Sequence, residues 1–98
     1  KTSTQVHLIA PNEKNFPVLL TLGEQLRSSC PQAQFYTHLE TGKIGNLIKK
    51  SLKKSADIII ICADNELAEG KYAIKDLRNR KQYTLNKEEL QRHLEEIT

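Results

Sequence analysis

The chain contains no methionine and begins at Lys1. That points to a piece of a longer translation product, with residues 1–4 a polar linker remnant and residues 5–98 one domain. Only two cysteines are present, Cys30 and Cys62, far apart in the sequence. Without a signal peptide they give no disulfide framework, and the cytosol is the default compartment. No apolar run approaches the roughly 18 residues of a membrane span, and no targeting segment is visible at the N-terminus. A membrane is therefore not an expected partner.

The groups that carry catalysis are also scarce. Of the three histidines, His7 falls in a predicted strand and His93 on the last predicted helix, where both read as packing or surface residues. His38 ends a predicted strand but has no nucleophile near it in sequence. No histidine or cysteine pair has metal-ligand spacing. The turn after the first strand is Pro11-Asn12-Glu13-Lys14, not the glycine cradle that phosphates require. These residues read as non-catalytic, with no cofactor or metal of their own.

Acidic residues are absent between Glu40 and Asp57, where Lys43, Lys49, Lys50, Lys53 and Lys54 fall together. Glu88, Glu89, Glu95 and Glu96 crowd the C-terminus instead. The formal charge is only +3 and the sequence pI about 8.9, so distribution says more than size. A clustered basic face points to a polyanion partner.

The organising stretch is Asp57 to Leu85. Four consecutive isoleucines, Ile58 to Ile61, are too β-branched for a comfortable helix and apolar on both faces of a strand. They predict a strand in the middle of a parallel sheet with helices on both sides. Cys62 closes it as a small buried residue. A polar turn ending in Gly70 follows, then a strand from Lys71 to Leu77. Buried strands opening into polar turns are where α/β domains place ligands.

Before this stretch, Gln5 to Ala10 reads as a first strand. A helix follows with Pro17 in its first turn, Asn15 as its cap, and a stripe of Val18, Leu22 and Leu26 widened by Leu19. Ala33 to Thr37 is a second strand. A second helix runs from Lys43 to Ser55 with Ile44, Leu47, Ile48 and Leu52 as its apolar side. Its lysines 43, 50 and 54 share one face, flanked by 49 and 53. After Lys71 to Leu77, a polar hairpin at residues 78–81 leads to a short strand at Gln82 to Leu85. Asn86 and Glu89 form a capping box for a last helix that buries Leu90, Leu94 and Ile97. The order is βαβαβββα, an α/β fold with five strands and three helices. The first three strands are expected to be parallel, and the last hairpin antiparallel.

The lysine face begins at a helix N-terminus, where backbone N–H groups also attract phosphate. Asn65 and Glu66, after the isoleucine strand, carry hydrogen-bonding groups suited to base edges. A basic rim that positions a backbone beside polar groups that read bases is the division of labour in sequence-specific recognition. Single-stranded or loop RNA is the usual target, since its bases can be splayed out. Tyr36 offers a stacking surface or a core residue.

The same residues carry a family likeness. Lys43-Ile44-Gly45 opening a helix, Cys62-Ala63-Asp64-Asn65-Glu66 and Gly70-Lys71-Tyr72-Ala73-Ile74-Lys75 together resemble the C-terminal anticodon-binding domain of class II aminoacyl-tRNA synthetases of the histidyl, threonyl, prolyl and glycyl group. Within that group the chain is most similar to histidyl-tRNA synthetase, through Leu22 to Arg27 and the ending from Gly70 to Arg78. The resemblance implies a mixed five-stranded sheet, flanked by helices, that grips the anticodon stem-loop of a tRNA. It implies base contacts by Lys43, Glu66 and Lys75, with Lys49 and Thr41 at further contact positions; Asn65 and Lys50 are candidates from the polar turn and the lysine face themselves. Ala63 stands where the family has glycine, and Lys49 and Lys75 where it has arginine. A lysine lacks the bidentate fork that arginine offers to guanine. The resemblance also implies a parent enzyme whose separate catalytic domain uses ATP and magnesium to activate histidine and forms a homodimer.

Two other readings remain at the level of sequence. One is a non-catalytic relative, an RNA- or protein-binding module of a regulatory protein. The other is a flavodoxin-like signalling domain. That reading lacks the paired acids or the Ser/Thr-rich phosphate loop it needs after the first strand, which ends in Ala10-Pro11-Asn12.

Overall fold

The computed structural model describes residues 4–40 and 42–97. Five strands form one mixed sheet in the order β2-β1-β3-β4-β5: β1 (Gln5–Ile9), β2 (Gln34–Thr37), β3 (Ile58–Ile61), β4 (Lys71–Asp76) and β5 (Lys81–Asn86). β1 runs parallel to both β2 and β3, whereas β4 is antiparallel to β3 and β5 to β4. The isoleucine strand is thus central, as its two apolar faces require. It is parallel to one neighbour only, so it is the seam of a mixed sheet, not the middle of a parallel one.

Side chains alternate across the pleat and divide the core in two. On one face Val6, Leu8, Ile58, Ile60 and Ile74 pack under α1 (Phe16–Ser29) and α4 (Lys87–Ile97), which contribute Leu19, Leu22, Leu26, Leu90 and Leu94. Arg27 ties α1 to the sheet by donating from Nη2 to the Phe35 carbonyl at 2.9 Å. The opposite face carries a smaller cluster, Ile9, Ile59 and Ile61 with Leu47 of α2 (Ile44–Lys53). Two covered faces make this an α/β sandwich of unequal layers.

Three sequence expectations change. The polar turn after β3 is a short helix, α3 (Asp64–Ala68), which Gly70 ends in the left-handed region at φ 72°. A fourth helix is therefore present, and a single 3-10 turn (Glu13–Asn15) precedes α1. Asn15 sits at the N-cap of α1 but makes no side-chain cap bond there. In α2 only Leu47 and Ser51 are buried, while Leu52 is 49% exposed and Ile44 is also exposed. The capping box holds: Glu89 N–H donates to Asn86 Oδ1 at 2.8 Å and Asn86 N–H to Glu89 Oε1 at 3.1 Å. The side chain of Ile97, expected in the α4 stripe, lies outside the described residues.

Candidate nucleic-acid interface

The strand order reverses between β1 and β3, so their C-terminal ends diverge into a crevice of the kind α/β sheets use for ligands. One side chain stitches it. Asn15 is buried and donates from Nδ2 to Asp64 Oδ1 at 2.7 Å and, at 3.4 Å, to the carbonyl of Cys62. Lys14 adds an ion pair to Asp64 at 3.5 Å. The Asn15 bond, with Lys14 beside it, holds the Asp64 carboxyl below the usual carboxylate range. Asp64 is thereby fixed as an anion at the start of α3, and the next two residues are the exposed Asn65 and the half-buried Glu66. Cys62 itself is inert, its thiol pushed up to about 12 by burial.

The other predicted contacts come from α2 and β4. Lys43 is the exposed N-cap of α2, with extended backbone and no side-chain cap bond. Lys49 and Lys50 are exposed along the helix. Lys50 is not an unneutralised cation, because it forms an ion pair with Glu40 of the β2–α2 loop. That hydrogen bond and charge hold the Glu40 carboxyl below its ordinary value. Among the described residues, Lys43, Lys49, Glu66 and Lys75 form no ion pair. Thr41 lies outside the described residues.

The helix α2 divides these residues. Lys50 and Lys54 look toward β1 and β2, where they press on two histidines that sequence reasoning left apart. His7 Nδ1 and His38 Nε2 lie 2.7 Å apart, with rings stacked at 4.9 Å, and Tyr36 tilts against His7 at the same distance. Burial, then the neighbouring His38 and Lys54, lowers His7 to about 4, against a smaller pull upward from Asp57. His38 is lowered by burial and Lys54. Both rings are therefore neutral at pH 7. Tyr36 is 44% exposed, which removes it from the core.

On the other flank of α2 lies Lys75, opposite Ile59 on one strand and Gln82 on the next. By alternation, Lys71, Ala73, Lys75, Gln82 and Thr84 share the α2 side of the sheet. β5 is its edge, with Gln82 and Thr84 exposed. The topology starts α2 after the C-terminal end of β2 and α3 after that of β3, so Lys43, Asn65 and Glu66 follow the same end of the parallel strands, while Lys75 stands mid-strand on the α2 side of the sheet. Lys50 is directed away from them.

This architecture agrees with the known proteins that the chain resembles. Residues 5–97 match the anticodon-binding-domain family model, and the chain belongs to that family. Histidyl-tRNA synthetase from Nostoc sp. PCC 7120 superimposes with a TM-score of 0.86 at 22% identity, over 99% of this chain and 22% of that one. The RNA-binding domain of threonyl-tRNA synthetase from Cryptosporidium parvum Iowa II gives 0.81 at 14% identity, covering 96% and 23%. The apo S. aureus histidyl-tRNA synthetase gives 0.75 at 18%, covering 96% and 24%. The chain spans about a quarter of the length of those solved chains. No helix among the described residues is long and apolar enough to cross a membrane, and none of their His, Cys, Asp or Glu groups can hold a metal ion.

Proposed function

We propose that this chain recognises the anticodon stem-loop of a histidine tRNA, as the recognition part of a histidyl-tRNA synthetase. The observation that carries the reading is the crevice edge. There Lys43, at the uncapped N-terminus of the helix that follows β2, and Glu66, behind the pinned Asp64 in the helix that follows β3, have no ion pair among the described residues. Lysine and backbone N–H groups suit phosphates, while Asn65 and Glu66 suit base edges. The histidyl assignment draws support from the two histidyl-tRNA synthetase folds that superimpose on the chain. ATP and magnesium chemistry and dimerisation are assigned to a separate catalytic domain of the parent.

Titration with histidine and threonine anticodon stem-loops at low and moderate salt tests the proposal. Preference for the histidine loop is expected. Lys43→Ala or Lys49→Ala should weaken binding to both loops and reduce the salt slope by about 0.7–0.9 for each phosphate no longer neutralised. Glu66→Ala should change the preference instead, by ~1–3 kcal/mol for a bidentate contact. Equal weakening on both loops from Glu66→Ala would remove its reading role.

A further inference from the structure

Position 7 is an unusual place for an ionisable side chain. Its strand neighbours Val6 and Leu8 are fully buried, its partner on β3 is Ile59, and His7 itself is 1% exposed. Its Nε2 is buried and has no hydrogen-bond partner. An apolar side chain of similar size would fill the same place without an orphaned nitrogen. What the imidazole gains there is one bond, between Nδ1 and His38 Nε2 at 2.7 Å. With both rings neutral, one nitrogen of that pair donates and the other accepts. A polar group kept in a core against stability points to a task other than stability.

The task follows from where His38 stands. It is the first residue after β2, and its backbone N–H donates to the Leu8 carbonyl at 3.0 Å, so both its backbone and its ring are bound to β1. Two residues on, Glu40 forms its ion pair with Lys50 of α2. The root of the β2–α2 loop is thereby bonded to β1 on one side and to the helix on the other. That linkage matters because α2 has little else to seat it. Its buried residues are Leu47 and Ser51; Ile44, in the first turn, is exposed, and Lys43 before it has no side-chain cap bond. Leu47, the first buried side chain of the helix, lies a full turn beyond Lys43.

We propose that His7 and His38 are positioning residues for RNA recognition: their hydrogen bond fixes the seat of α2 on the sheet, and with it the place of Lys43 relative to Glu66. The inference rests on the proposed RNA recognition and adds to it two residues that do not themselves contact the RNA. Lys43 and Glu66 belong to different helices, one after β2 and the other after β3, so they meet one RNA loop together only if both helices are held to the same sheet. Asn15 holds the second helix through Asp64. The histidine pair does the same for the first. A site whose supporting groups are loose loses affinity while keeping every contact residue.

The test is titration of a histidine-tRNA anticodon stem-loop against the unchanged chain and its variants. His7→Leu should keep or raise the urea midpoint at about pH 7 and yet bind the stem-loop about tenfold more weakly. His38→Leu, at a half-buried position, should weaken binding alike. His38→Gln should restore it, because the glutamine amide brings both a donor and an acceptor to the place of Nε2. In a chain already carrying Lys43→Ala, His7→Leu should add little, since the contact whose place it sets is gone. An imidazole proton held between the two rings should appear in NMR spectra of the unchanged chain and be lost in both leucine variants. If both leucine variants bind as the unchanged chain does, or if His7→Leu and Lys43→Ala add in full, the pair positions nothing, while the reading of Lys43 and Glu66 stands. If the unchanged chain binds no RNA, both proposals fall.

Discussion

At the scale of single residues, two side chains carry consequences that their sequence neighbours conceal. His7 is buried beside His38 and lowered to about 4, against 6.5 in the unfolded chain. Between those values the unfolded state binds the extra proton, so stability is complete above pH 6.5 and declines as pH falls toward 4. The decline amounts to roughly 3 kcal/mol for a shift of this size. Urea unfolding at about pH 7, 5.5 and 4.5 should show it. His7→Leu should flatten the profile in that window, and an unchanged slope would assign the acid sensitivity to other groups. Asn15 is the second case. Asn15→Ala removes the bridge to Asp64 and Cys62 and should cost about 1–3 kcal/mol. It should also narrow the discrimination between anticodon loops, since Glu66 loses its support, while leaving the salt slope unchanged. A full effect on stability with no effect on discrimination would make Asn15 purely structural. Neither role was legible in sequence, because the partners lie 31 residues away for His7 and 47 or 49 for Asn15. Asn-x-Pro before an apolar stripe reads as a cap on local grounds, and only the sheet brings Asp64 within reach.

At the scale of elements, α2 is the piece whose attachment matters most. Its period was readable from the lysines and leucines, but periodicity gives the apolar side of a helix and not the extent of sheet beneath it. Leu47 meets Ile9, Ile59 and Ile61, whereas Leu52 stands half-exposed over a cavity toward β5. Leu47→Ala should therefore destabilise by about 2 kcal/mol, the low end for buried leucines, because a shallow layer can collapse onto the gap. Leu52→Ala should stay within about 0.5 kcal/mol. Chemical denaturation of both variants measures the contrast, and equal destabilisation would mean that α2 is anchored along its whole length. The isoleucine strand was legible for the opposite reason: β-branching and apolarity on both faces leave a chain of this kind few alternatives. The helix α3 was not, since Asp64-Asn65-Glu66 reads as turn chemistry and five residues are too few to show a period.

At the scale of the whole molecule, the charge is polarised, with α2 and the hairpin basic and α4 acidic. An approaching polyanion meets the face beside α2 first, and the glutamates of α4 oppose docking from the other side. The mixed sheet adds a consequence in time. β4 and β5 join through a short connection in which Asp76 accepts the backbone N–H groups of Arg78 and Asn79, whereas β1, β2 and β3 meet only after α1 and α2 have crossed over. Closing the hairpin takes on the order of microseconds, and pairing strands distant in sequence is slower. Folding should then begin at the hairpin and finish at the parallel seam. Asp76→Ala should slow refolding, while Leu47→Ala should mainly hasten unfolding. Stopped-flow measurements on the two variants would separate these effects, and the reverse pattern would place the nucleus at β1–β3. The hairpin bonds of Asp76 would thus set the pace at which the chain reaches its native state.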